Sequence, residues 1–199
     1  MAHFLGDDTA WRLGRVSLNP LKHIDPFGTV LLPALLLLTG APFLFGYAKP
    51  VPVQFRALRH PRRDMVLVAA AGPGMNILLA AIAALLFHFV GYVPPEAGQW
   101  IARNLVNAIE LNVVLAVFNM IPLPPLDGGR VAVGLLPNAL ARPLASLERY
   151  GMLIVFAVLF FLPVLAPLLG TNADFFFSTI MQAADAVIRV ILLVTGNVP

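Results

Sequence analysis

An all-α integral membrane protein, a polytopic bundle of about five hydrophobic segments, is the fold class this sequence predicts. Of its 199 residues 59% are hydrophobic and only 12% are charged, and the mean hydropathy is +0.86. Soluble domains average roughly 45–50% apolar and roughly 25% charged residues, so this chain has too few polar side chains to cover a globule in water. A soluble enzyme and a disordered chain are both excluded. No nucleic-acid partner is expected either, although the pI is near 9.8. The formal charge is only +3, and the cations sit in short clusters between apolar runs, as topology signals do. The absence of cysteine removes disulfides, thiolate metal sites and thiol nucleophiles.

A bilayer core about 30 Å thick takes roughly 20 apolar residues per helix. Five stretches approach that length: 27–47, interrupted by Pro33, Gly40 and Pro42; 65–93, with Gly72-Pro73-Gly74 as a break; 101–123; 150–169; and 175–194. No signal peptide opens at Met1, no repeat is visible, and no low-complexity linker divides the chain. A single integral membrane domain over 1–199 is expected, with 1–26 and 48–64 as its polar segments.

Positive charge marks the cytoplasmic side. Lys49, Arg56, Arg59, Arg62 and Arg63 precede the second stretch, and Arg130, Arg142 and Arg149 lie between the third and fourth, whereas 94–100 holds no Lys or Arg. Loops 48–64 and 124–149 are therefore expected in the cytoplasm. Arg12, Arg15 and Lys22 fit this scheme only if 27–47 re-enters the membrane instead of crossing it; otherwise further protein must hold them. Two short segments, 15–20 and 51–55, alternate with period two between Pro or Gly. They predict membrane-associated edge strands, 16–18 and 51–55, where an unwound substrate can add as a further strand. Surface loops with chance alternation are the alternative.

The richest polar segment is Asn119-Met120-Ile121-Pro122-Leu123-Pro124-Pro125-Leu126-Asp127-Gly128-Gly129-Arg130. Its prolines lack backbone donors and must end the third span. Asp127 then starts a short apolar segment, where a carboxylate can cap a helix or belong to an ordinary turn. Beside a broken transmembrane helix, it is a functional candidate by default. Asn76 is read as satisfying carbonyls freed at the Gly72-Pro73-Gly74 break, Asn107, Asn112 and Asn119 as bonding between helices, and Glu110 as structural or solvated near the membrane boundary. The four histidines show no ligand spacing, and His88 is expected to be hydrogen-bonded.

Five stretches then resemble one family in its own order: Gly6 to Ala10 followed by Gly14 to Gly28; Ala48 to Val53; Pro61 to Asp64; Ala71 to Asn76; and Phe118 to Arg130. Together they resemble the site-2 proteases, the M50 intramembrane zinc metalloproteases, in their compact bacterial branch. The resemblance implies a zinc cofactor held by two histidines of an H-E-x-x-H helix and by the aspartate of a Leu-Asp-Gly motif, which falls on Asp127. It implies a glutamate acting as general base, and a fourth metal position for a water whose pKa the zinc lowers. The implied partners are a transmembrane protein or peptide substrate and the lipid bilayer, and the implied location is a bacterial inner membrane.

The sequence departs from that pattern at one place. No H-E-x-x-H occurs, and its only glutamates are Glu96, Glu110 and Glu148. No catalytic residue is therefore assigned, and Asp127 is the single metal-ligand candidate. The alignment sets the second motif histidine a few residues before Met1, so the expectation is an N-terminally incomplete metalloprotease that is inactive as given. A pseudoprotease that binds transmembrane segments without cutting them, and a small transporter, are the alternatives.

Overall fold

A computed structural model describes residues 1–17, 19–39, 46–49, 51–161 and 174–197. The chain divides into two compact units, Met1–Asp64 and Met65–Pro199.

The first unit is built of short helical turns. Helix α1 is Thr9–Arg12. A π-helical turn, Pro26–Leu31, runs on into α2, Leu32–Leu38. Asp25 starts this run: its Oδ1 accepts from the N–H groups of Phe27 at 3.1 Å and Gly28 at 2.7 Å, two donors that a helix start otherwise leaves orphaned. The centre of the unit is Asp7, a carboxylate only 1% exposed. It accepts from Thr9 N–H at 3.0 Å, from the Thr9 hydroxyl at 2.5 Å, and from Gln54 N–H at 2.7 Å. The last bond, with Arg59 N–H donating to Leu5 O at 3.0 Å, ties the fifties to the N-terminal turn. Burial pushes the Asp7 carboxyl up, but the bonds from Thr9 and Gln54 outweigh it and hold the group below its ordinary value.

The ends of the first hydrophobic stretch meet. Tyr47 N–H donates to Gly28 O at 3.0 Å, Lys49 N–H donates to His23 O at 2.8 Å, and the Thr29 hydroxyl donates to Tyr47 O at 2.9 Å. The apolar helical run Pro26–Leu38 is also shorter than the three spanning helices. Ends bonded to each other cannot reach opposite faces of a layer about 30 Å thick.

The expected edge strands do not form. Among the described residues there is no strand; residues 15–17 and 51–54 carry no regular structure, and Phe55–Ala57 is a 3₁₀ turn. Leu18 lies outside the described residues. The physical reason is donor loss and lack of a partner. Pro20, Pro50 and Pro52 have no N–H for a ladder, and the Gln54 N–H is committed to Asp7. Period-two alternation reported side-chain spacing, not pairing.

Among the described residues, the regular elements of the second unit are all helical. Helix α3, Pro61–Phe87, begins in the first unit and carries Pro73 inside it without interruption. The expected break at Gly72-Pro73-Gly74 is therefore absent as a break; membrane helices tolerate an internal proline because neighbouring groups re-satisfy the freed backbone. Helix α4 is Pro95–Asn119, followed by α5, Asp127–Leu135; α6, Asn138–Ser146; α7, Glu148–Phe156; and α8, Asp174–Val194. Among the described residues three helical stretches are long and apolar enough to cross a membrane: Pro61–Tyr92, Pro95–Asn119 and Phe175–Val194. They realise the second, third and fifth expected segments. The fourth is helical through Phe161, and its remainder lies outside the described residues.

Helices α3, α4 and α8 share one core of Ala80, Ala83, Ala84, Ile109, Val113, Ala184 and Ile191. Four of these seven are alanines, and small side chains let membrane helices approach closely enough to gain packing energy. Large residues such as Leu67, Leu78, Leu86, Leu111 and Leu193 point outward, as suits a lipid solvent. At one end the His88 ring bonds Thr195 O at 2.7 Å, and Asn197 donates to Ala84 O at 2.8 Å, pinning α8 to α3. Asn112 and Asn119 correct the expectation of bonds between helices. Each donates to the carbonyl four residues back, Ala108 at 2.8 Å and Leu115 at 2.9 Å.

Candidate functional site

The segment between α4 and α5 is folded tightly against the two helices that follow it. Met120 caps α4, and Pro124, joined to Pro125 by a cis peptide bond, is among the largest fully buried side chains. Gly129 leaves no room for a methyl group: a Cβ there would meet Pro124 N and Leu123 C, with Pro124 Cδ at 2.6 Å. Gly151 of α7 likewise faces Pro124 O, with Pro125 N at 2.5 Å from its would-be Cβ. Arg130 closes the same corner from outside, donating to Glu148 Oε1 at 2.9 Å. Such an exposed pair contributes about 0–1 kcal/mol, so backbone packing, not charge, holds the corner.

That packing sets Asp127 at the first position of α5. Leu126 is the N-cap and no side chain bonds across the cap, so the capping bond is not what the carboxylate does. It still complements the positive end of the α5 dipole. Its Oδ2 lies against Gly72 of α3, 3.1 Å from where a Cβ on that glycine would stand. The structure thus brings the Gly72-Pro73-Gly74 motif and the Leu126-Asp127-Gly128 motif together. Burial raises the carboxyl above its ordinary range, and the nearby Arg130 charge partly opposes the shift. A half-buried carboxylate in this position can donate one metal ligand or hold a proton.

Glu110 and Asn107 are placed elsewhere. They line a groove of about 480 Å³ between α4 and α8, with Asp185 on its other wall. Among the described residues no three His, Cys, Asp or Glu side chains gather as metal ligands. A catalytic zinc takes about three protein ligands, so the described residues do not by themselves make a zinc site. Sequence reasoning missed Gly72 as the neighbour of Asp127. The only signal was its place in a small-residue motif on an apolar helix.

Fold and site define a polytopic helical membrane protein with an acidic residue at the foot of a proline-terminated span. The sequence profile of "Peptidase family M50" matches residues 95–162. The chain is 42% identical over 182 residues to "Putative zinc metalloprotease YwhC" of Bacillus subtilis (strain 168), spanning 87% of this chain and 79% of that protein. It is 30% identical over 160 residues to "Putative zinc metalloprotease Rip2" of Mycolicibacterium smegmatis, 76% of this chain and 59% of that one. A "Zinc metalloprotease Rip1" of the same organism is 31% identical over 98 residues, 48% of this chain and 24% of that one. No solved structure matches. The chain belongs to peptidase family M50.

Proposed function

We propose that this chain is the Asp127-bearing part of an intramembrane zinc metalloprotease of the site-2 type. It hydrolyses peptide bonds of transmembrane substrates when joined to an H-E-x-x-H segment. The observation that carries the reading is the meeting of Asp127 and Gly72, which unites two motifs of the family at one point. Family membership and the zinc metalloprotease names of the relatives support it. Asp127 is one zinc ligand in this reading. In this reading the two histidines and the general base belong to an H-E-x-x-H segment, a motif that these 199 residues do not contain. The packed corner of Pro124, Gly129 and Gly151 holds Asp127 in place, and the protein sits in a bacterial inner membrane.

The test is proteolysis by two purified lengths: these 199 residues, and the protein read from the frame continued upstream of the Met1 codon. Cleavage of a transmembrane peptide by the longer form alone, abolished by a zinc chelator, is expected. Cleavage by the short form, or an upstream frame closed by a stop codon without H-E-x-x-H, overturns the reading; the second result leaves a non-catalytic scaffold.

A further inference from the structure

We infer that the first unit carries a binding site for the phosphate of an anionic membrane lipid. An open cavity of about 570 Å³ lies within this unit, lined by Leu13, Arg15, Lys22, Asp25 and Lys49 among others. That volume falls in the range of small-ligand sites, roughly 300–1,000 Å³. Three cations face one carboxylate, and the carboxylate is already engaged: Asp25 Oδ1 accepts from two backbone N–H groups at the start of the α2 run. Among the described residues, the ion pairs of the unit join His3 and Arg12 to Asp8, and His60 to Asp64, and none engages Arg15, Lys22 or Lys49.

Two features fix this arrangement. An Arg15 guanidinium nitrogen donates to Lys22 O at 2.7 Å, which holds that side chain at the cavity lining beside Lys22. The Lys49 N–H donates to His23 O at 2.8 Å, which sets Lys49 beside the Lys22-His23 segment. Like charges held close repel, and an anion among them relieves the repulsion. A phosphate group, with its several acceptor oxygens, suits two ammonium groups and a guanidinium.

The surroundings point to lipid rather than to free phosphate. Residues 1–64 hold eight of the thirteen Lys and Arg but only four of the ten Asp and Glu. Large apolar side chains flank the basic ones: Trp11, Leu13 and Leu21 are 58%, 61% and 71% exposed. Basic groups beside exposed aromatic and aliphatic side chains suit a membrane interface, where headgroup and acyl chain are met together. This site is independent of Asp127 and of any protease activity.

The test uses the 199-residue chain in lipid nanodiscs. Trp100→Phe leaves Trp11 as the sole tryptophan, and lipids with brominated acyl chains quench its fluorescence when they bind beside it. Brominated phosphatidylglycerol is expected to quench at lower mole fraction than brominated phosphatidylcholine. Lys22→Gln and Lys49→Gln should each reduce that preference about fivefold, whereas Lys22→Arg and Lys49→Arg should keep it. No preference in the parent chain, or equal loss in the Gln and Arg variants, overturns the site. Displacement of phosphatidylglycerol by millimolar inorganic phosphate at constant ionic strength assigns the cavity to a free anion and overturns the lipid assignment.

Discussion

Gly72 and Asp127 are neighbours: a methyl group built on the glycine of α3 would stand 3.1 Å from Oδ2 of the aspartate that opens α5. The absence of a side chain at Gly72 is what admits the carboxylate to the surface of a spanning helix. Gly74, two residues on, has nothing within 4 Å of its would-be Cβ.

These two glycines make a paired experiment. Gly72→Leu is expected to displace Asp127 and lower stability by about 1–3 kcal/mol, the usual cost of overpacking. Gly74→Leu, a change of the same size in open space, should be neutral or gain slightly from helix propensity. Thermal unfolding of the two variants in detergent reads the difference, and equal melting temperatures would remove Gly72 from the site.

Gly129→Ala is expected to be more damaging. Its Cβ would meet the backbone of Leu123 and Pro124, and backbone cannot swing aside as a flexible side chain can. Loss of more than about 3 kcal/mol is expected, with the corner around Asp127 disturbed as well. Unfolding together with protease susceptibility of the 120–130 segment reports both effects. Wild-type values in both would contradict the close packing.

How far the sequence reveals this arrangement depends on the kind of signal. Hydropathy finds α3, α4 and α8 because burial in lipid demands long apolar runs, and the prolines from Pro122 to Pro125 end α4 as expected. Asp127 stands out because a carboxylate is costly there. Its partner Gly72 does not, since proximity between distant residues leaves no trace in one sequence. The alternation at 51–55 misleads for a related reason: a strand needs a partner edge, and here Asp7 takes the Gln54 N–H that an edge would use. For 27–47 the charge pattern raises re-entry as one of two readings, but the bonds that join residues 28 and 29 to 47 leave no signal, because hydropathy measures length in lipid and not direction.

Asp7 makes the first unit acid-sensitive. Its folded value is depressed, so the carboxylate stabilises the unit fully above the unfolded value of about 3.9. That contribution is lost as pH falls through the folded value. Hydrogen exchange at the Thr9 and Gln54 amides should accelerate at acid pH. Asp7→Asn, which keeps one acceptor and removes the charge, should flatten that response while lowering stability at neutral pH by about 1–3 kcal/mol. An unchanged acid response in the variant would move its cause elsewhere.

The meeting of residues 23–29 with 46–49 fixes a topological expectation. The chain contains no cysteine, so single cysteines at Asn19 and Ala48 can be labelled one at a time. Both should react with an impermeant reagent from the same face of the membrane. By the excess of Lys and Arg, that face is the cytoplasmic one, shared with a probe at Ala145. Labelling of Asn19→Cys and Ala48→Cys from opposite faces would show that 27–47 crosses.

The central claim is that Asp127 is a zinc ligand. The most direct measurement is the zinc affinity of the upstream-extended protein and of its Asp127→Ala variant, with thermal unfolding of both as the control for folding. Loss of a partner that merely supports a ligand typically costs roughly 10–100-fold in metal affinity. Loss of a ligand itself should cost at least about 100-fold, with the unfolding transition retained. Undiminished zinc in Asp127→Ala, or stoichiometric zinc in the 199-residue chain alone, would contradict the assignment.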